Sequence, residues 1–157
     1  MVFLRQFINY LQTTLVPNRS FLKTRLADVS LYFCGLAWIS FWTTVIDSIF
    51  IIKTVPFIVW FMLHFIFVAI ALLLFLLLMS YLNRWLIDWI LPRPWAYRQV
   101  FPYTVAANLW SFPVGVLCYQ LGFTALGMTL LLVGHFIYSL LPVFSARKRK
   151  KNTRPKS

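Results

Sequence analysis

The chain has 157 residues, 61% hydrophobic, 19% aromatic and only 11% charged, with a formal net charge of +12. About a quarter of the residues in a soluble domain are charged, so a water-soluble fold could not hide this much apolar surface. The length leaves room for one membrane unit with short ends and none for an additional soluble catalytic domain.

The positive charge is unevenly placed. Of the 15 Lys and Arg residues, all but Lys53 fall into three clusters: Arg5, Arg19, Lys23 and Arg25; Arg84, Arg93 and Arg98; and the tail. Long uncharged stretches separate these clusters, which places them on one side of a bilayer by the positive-inside rule and beside anionic headgroups. That placement argues against a nucleic-acid partner, for which the basic residues would form one continuous patch.

Phe3, Leu4, Phe7, Ile8, Leu11 and Leu15 recur at helical spacing with Arg5, Gln6, Asn9 and Gln12 between them. The pattern predicts an amphipathic helix in the headgroup layer rather than the apolar core of a signal peptide. Pro17-Asn18 ends it, and Ser20 is the predicted cap of the helix leading into the membrane.

Residues 29–46 carry no charge and are just long enough to cross the hydrocarbon, with Asp47 and Lys53 expected to offset each other at the outer interface. The next uncharged stretch, 54–83, contains the apolar run 57–79, broken only by His64, with Pro56 near its start. Arg84 to Arg98, with Trp85, Trp89, Trp95, Tyr97 and Asp88, reads as an interfacial connection in which Arg84 pairs with Asp88. Gln99 to Ala146 has no Asp, Glu, Lys or Arg and is about twice as long as one crossing needs. Two spans are therefore predicted, 103–119 and 123–144, joined by a turn at Gln120-Leu121-Gly122.

The expected fold is an all-α integral membrane protein with four transmembrane helices, both termini cytoplasmic and an amphipathic amino-terminal helix on the inner leaflet. Its parts are a cytoplasmic amphipathic segment (1–28), a four-span membrane domain (29–145) and a cytoplasmic polybasic tail (146–157), in what is expected to be a bacterial cytoplasmic membrane.

Ala107, Ser111 and Gly115 lie four apart, a small-residue stripe for close helix approach, and Gly127 and Gly134 offer a complementary smooth face on the fourth span. His64 and His135 form a candidate intramembrane polar site, with no carboxylate expected beside them and each imidazole expected to be neutral and hydrogen-bonded. A metal site built from His64, His135, Cys34 and Cys118 would need residues from several depths to converge, so no metal and no cofactor is expected. The acidic inventory is Asp28, Asp47 and Asp88, without paired carboxylates, a nucleophile beside a base or a phosphate-cradling loop, so no catalytic residue is assigned. The tail residues Arg147, Lys148, Arg149, Lys150, Lys151, Arg154 and Lys156 are expected to be disordered in water and to bind anionic lipid headgroups.

Phe7-Ile8-Asn9-Tyr10, Leu15-Val16-Pro17-Asn18 and the run to Arg25, with Tyr97-Arg98-Gln99-Val100-Phe101, Tyr103-Thr104-Val105-Ala106 and Pro113, resemble a bacterial family of uncharacterised integral membrane proteins loosely related to the Yip superfamily. Some members of that family are labelled maltodextrin-utilisation accessory proteins. The resemblance implies an amino-terminal helix, a basic approach to the first span and a kinked third span, and it transfers no catalytic residue. This chain departs from the family after the first span, where residues 48–56 replace a longer extracytoplasmic segment.

The expected function is that of a non-catalytic accessory or scaffold protein binding anionic lipid and an integral membrane partner or further copies of itself. A small transporter or holin-like pore-forming oligomer is the alternative.

Overall fold

The structure, a computed structural model, describes residues 2–18, 20–50, 56–91 and 95–152, with side chains through residue 145. Arg19, Lys53, Arg93, Arg154 and Lys156 lie outside the described residues, as do the side chains of Arg147 to Lys151. The described residues form helices joined by short turns, without strands: α1 (Val2–Thr14), a 3-10 segment (Ser20–Leu26), α2 (Val29–Phe50), α3 (Phe57–Ile90), α4 (Tyr97–Gln120), α5 (Thr124–Thr129), a π segment (Leu130–Gly134) and α6 (His135–Asn152). Four stretches are long and apolar enough to cross a membrane: α2, α3, α4 and the composite Thr124–Ser145.

α4 is the hub, in contact with every other helix and with the 3-10 and π segments. Small and polar residues line its buried surface, among them Thr104, Ala106, Ala107, Asn108 and Gly115. Where the surroundings are lipid, a helix gains nothing by hiding Leu from them, and small side chains win the interior because they let helices pack closely.

α4 ends in a Schellman motif: the Gly122 N–H donates to the Tyr119 carbonyl (3.1 Å) and the Phe123 N–H to the Cys118 carbonyl (3.0 Å). Gly122 has φ +90°, a conformation that L side chains avoid, which is why the reversal falls at this glycine.

Along the fourth span Gly127, Leu131, His135, Ser139 and Val143 face inward at four-residue intervals, all buried except the half-buried Leu131. A regular α-helix would rotate such a row by about 40° at each step. The wider π turn between Gly127 and His135 takes up part of that drift and keeps the row facing α4.

Several boundaries differ from expectation. α3 continues past Asn83 to Ile90, so Arg84 and Asp88 lie on its last turns, one turn apart (Nε to Oδ2 3.7 Å), and the connection to α4 shrinks to residues 91–96. Helix hydrogen bonding keeps favouring continuation across a charged residue, and charge marks membrane depth rather than a break. Asn18, not Ser20, caps the 3-10 segment: its Oδ1 accepts from the backbone N–H of Ser20 (2.8 Å). α6 carries the first part of the basic tail in helical form, through Asn152.

The amino-terminal segment is part of the core. Phe7, Tyr10, Leu11 and Thr14 form one stripe of α1 facing the bundle, and Phe7 packs edge-on to Trp38. The Trp110 Nε1–H donates to Thr14 Oγ1 (3.1 Å), and the Tyr138 hydroxyl donates to the Thr14 carbonyl. Burial pushes the Tyr10 phenol above its ordinary pKa. Phe21 is fully buried between Tyr103 and Tyr138. Arg25 lies over the Trp95 ring (4.8 Å), a cation–π contact at the end of the bundle where α3 gives way to α4.

Candidate functional site

Two polar clusters lie among the apolar helices, one around each histidine. The deeper joins α3, α4 and α6. His135 is fully buried, with Nε2 3.1 Å from the side-chain amide of Asn83 and Nδ1 2.9 Å from that of Asn108. A neutral imidazole has a single N–H, so one amide must offer it an acceptor. The network closes when Asn83 turns its oxygen to His135 Nε2–H and to the Thr104 hydroxyl, and its NH2 to Ser139 Oγ. Ser139 then donates to the Phe136 carbonyl, and Asn108 donates to His135 Nδ1 and to the Thr104 carbonyl (2.8 Å). The Tyr103 hydroxyl donates to the Ser139 carbonyl and extends the cluster towards Phe21. Apart from Asn108 Oδ1, which has no partner among the described residues, these side chains satisfy one another and hold three helices in register, since each unpaired buried group would cost about 1–3 kcal/mol.

The second cluster joins α2, α3 and α4 at the opposite end. The Asp47 carboxylate meets His64 Nε2 at 2.9 Å through Oδ2 and accepts from Gln120 Nε2 at 2.7 Å through Oδ1. The Trp60 ring stacks on the His64 imidazole, centroids 4.6 Å apart. Asp47 is thus turned into the bundle, and His64 has the carboxylate partner that was not expected of it. Helix geometry explains the difference: Asp47 is one turn beyond Thr43, on the face of α2 that looks towards α3 and α4.

Below this cluster lies a cleft of about 510 Å³. Its walls come from α2 (Thr43), α3 (Phe67, Val68, Ala71, Leu72, Phe75), α4 (Phe112, Val116, Tyr119) and the α5 and π segments (Met128, Leu131, Leu132). It exists because α3 touches α2, α4 and α6 but, among the described residues, neither α5 nor the π segment. Accordingly α3 buries a stripe only from Leu72 onward, through Leu76, Met79, Ser80, Asn83 and Ile87. Asn83 and His135 clamp α3 to α6 at one end, and the helices part towards the other.

The small-residue stripe divides. A Cβ on Gly127 would lie 2.7 Å from the Tyr119 nitrogen and 2.8 Å from the Gly115 carbonyl oxygen, and one on Gly115 would lie 2.9 Å from Leu131. Gly115 and Gly127 therefore sit at the closest approach of α4 and α5. Ala107 is buried, and Ser111 is half-buried with its hydroxyl donating back to the Ala107 carbonyl (2.8 Å). Gly134 stands apart, meeting only side chains and backbone of its own segment. Cys34 and Cys118 are free thiols, and no group of three or more His, Cys, Asp or Glu residues gathers among the described residues.

The sequence reading named both histidines but not the residues that hold them. Thr104 and Asn108, like His135 and Ser139, are four apart in a charge-free stretch, so each pair shares one helix face. That spacing was the available signal for the deep cluster; nothing local links His64 to Gln120. Compared with family models, curated proteins and solved structures, the chain matches none.

Proposed function

We infer that the protein is a non-catalytic integral membrane accessory protein that holds a membrane partner against its long third helix and anchors to anionic lipid through its basic tail, with both termini in the cytoplasm. The observation that carries this reading is the surface of α3. Only 11% of its most apolar 18-residue window is buried, and Ile58, Leu63, Ile70 and Leu74 all point away from the bundle. A helix with so much free side has ample area for another span, while the polar side chains around His135 are already engaged with one another. The basic clusters support the orientation by the positive-inside rule, and the Yip-like resemblance of the amino-terminal segment and the connection into α4 agrees with an accessory role.

The small-residue stripe is a poor candidate for the partner surface, because Gly115 is occupied within the chain. The test is affinity purification of the native complex from membranes with Leu63 and Ile70, which lie outside the cleft, both replaced by Ala. Association should weaken while thermal stability stays at the wild-type value; a complex retained in full would remove α3 as the docking face. Reporter fusions after Lys53 and Gln120 should read outside, and fusions after Asp88 and Ser157 inside; a reversal at any of them defeats the orientation.

A further inference from the structure

We propose that the cleft under Asp47 is a lipid site that holds one acyl chain of an aminophospholipid, with the primary ammonium of the headgroup on the Asp47 carboxylate. Chemistry, length and an orphaned hydroxyl support it. Among the described residues Asp47 is the cleft's only carboxylate, and of the roughly four acceptor sites of a carboxylate His64 and Gln120 use two. The polar end of the cleft therefore has room for a further donor, and a cationic one suits a carboxylate. The rest of the lining, from Phe67 to Phe75 on α3 and from Met128 to Leu132 opposite, is apolar.

His64 and Phe75 mark the two ends of the cleft on α3, and eleven residues of helix span about 17 Å. One leaflet of hydrocarbon is about 15 Å deep, half of the usual core. The cleft is thus about as long as one leaflet is deep. A volume of about 510 Å³ also lies in the range of ordinary ligand sites.

Thr43 is one helical turn deeper than Asp47, 5% exposed, and its hydroxyl has no hydrogen-bond partner among the described residues. It lines the same cleft. At about 6 Å below the carboxylate it stands where the ester carbonyl of a lipid headed by an ammonium on Asp47 accepts a hydrogen bond.

The inference rests on the four helices spanning a membrane, not on the partner role of α3. The full-length protein is reconstituted in vesicles holding equal amounts of ethanolamine- and choline-headgroup phospholipid with matched chains, extracted in mild detergent, and its retained lipid counted by native mass spectrometry. The choline head carries the same charge but has no N–H to donate. Wild type should retain the ethanolamine lipid at least about tenfold over the choline lipid. Asp47→Asn should remove that preference, and Leu132→Trp, which fills the cleft from its rim, should remove retention of both. Equal retention of the two lipids by wild type overturns the proposal, as does a preference that survives Leu132→Trp in protein that elutes and melts like wild type. Should Asp47→Asn fail to fold, Thr43→Val takes its place, and an unchanged lipid count there counts against the site. Loss of the partner complex in the α3 variant would leave all of these results unaffected.

Discussion

α3 and α4 run side by side and obey opposite rules. α3 is the more apolar of the two, yet 11% of its most apolar window is buried against 56% for α4. In water the more apolar helix would be the inner one. For helices that cross a bilayer, Leu, Ile and Phe side chains are as well solvated by acyl chains as by protein, so apolarity ceases to sort residues, and small or mutually satisfied polar side chains decide which helix becomes the hub.

That contrast is tested most severely on the α4 side. Gly127→Ala should be among the costliest single changes, because its Cβ would strike the Tyr119 and Gly115 backbones, which have no rotamer to yield. Overpacking of this kind typically costs about 1–3 kcal/mol and occasionally more. A large drop in the unfolding midpoint in detergent is expected, and a wild-type midpoint would show that α4 and α5 are not held at that distance. His135→Leu should cost a comparable amount, about 1–3 kcal/mol for each of the Asn83 and Asn108 amides it leaves unpaired against an apolar side chain. A double-mutant cycle with Asn83→Leu sharpens the result: coupling of about 0.5–3 kcal/mol is expected for two members of one network, and additivity would mean that the residues act separately. The smallest effect belongs to α3. Ile70→Ala, on its exposed face, should shift stability by no more than about 0.5 kcal/mol, and a loss near that of His135→Leu would mean that this face is covered.

The same contrast sets what the sequence could disclose about the site. The glycine turn at Gly122 and the existence of four spans were legible because each depends on local properties, a positive φ and a run of uncharged residues. The length of α3 was not, since Arg84 and Asp88 read as a boundary although a helix passes through them. His64 and His135 stood out by rarity alone. Their partners did not, because Asp47 lies 17 residues from His64, and Asn83 lies 52 from His135. An isolated Asn or Gln in a span has no signature until another helix arrives beside it.

The sequence by itself determined that the described chain is helical, that four stretches can cross a membrane and that basic residues gather in three clusters, because composition and run length answer to the solvent and not to the neighbours. Only the tertiary structure decided which helix lies at the centre, which glycines touch, and that Asp47 turns inward to His64 and Gln120 above a cleft. Those outcomes depend on the rotation of each helix about its own axis and on where α3 parts from α5. In lipid that rotation is chosen by close packing and by the pairing of a few polar groups, both of which are properties of pairs of helices rather than of any one of them.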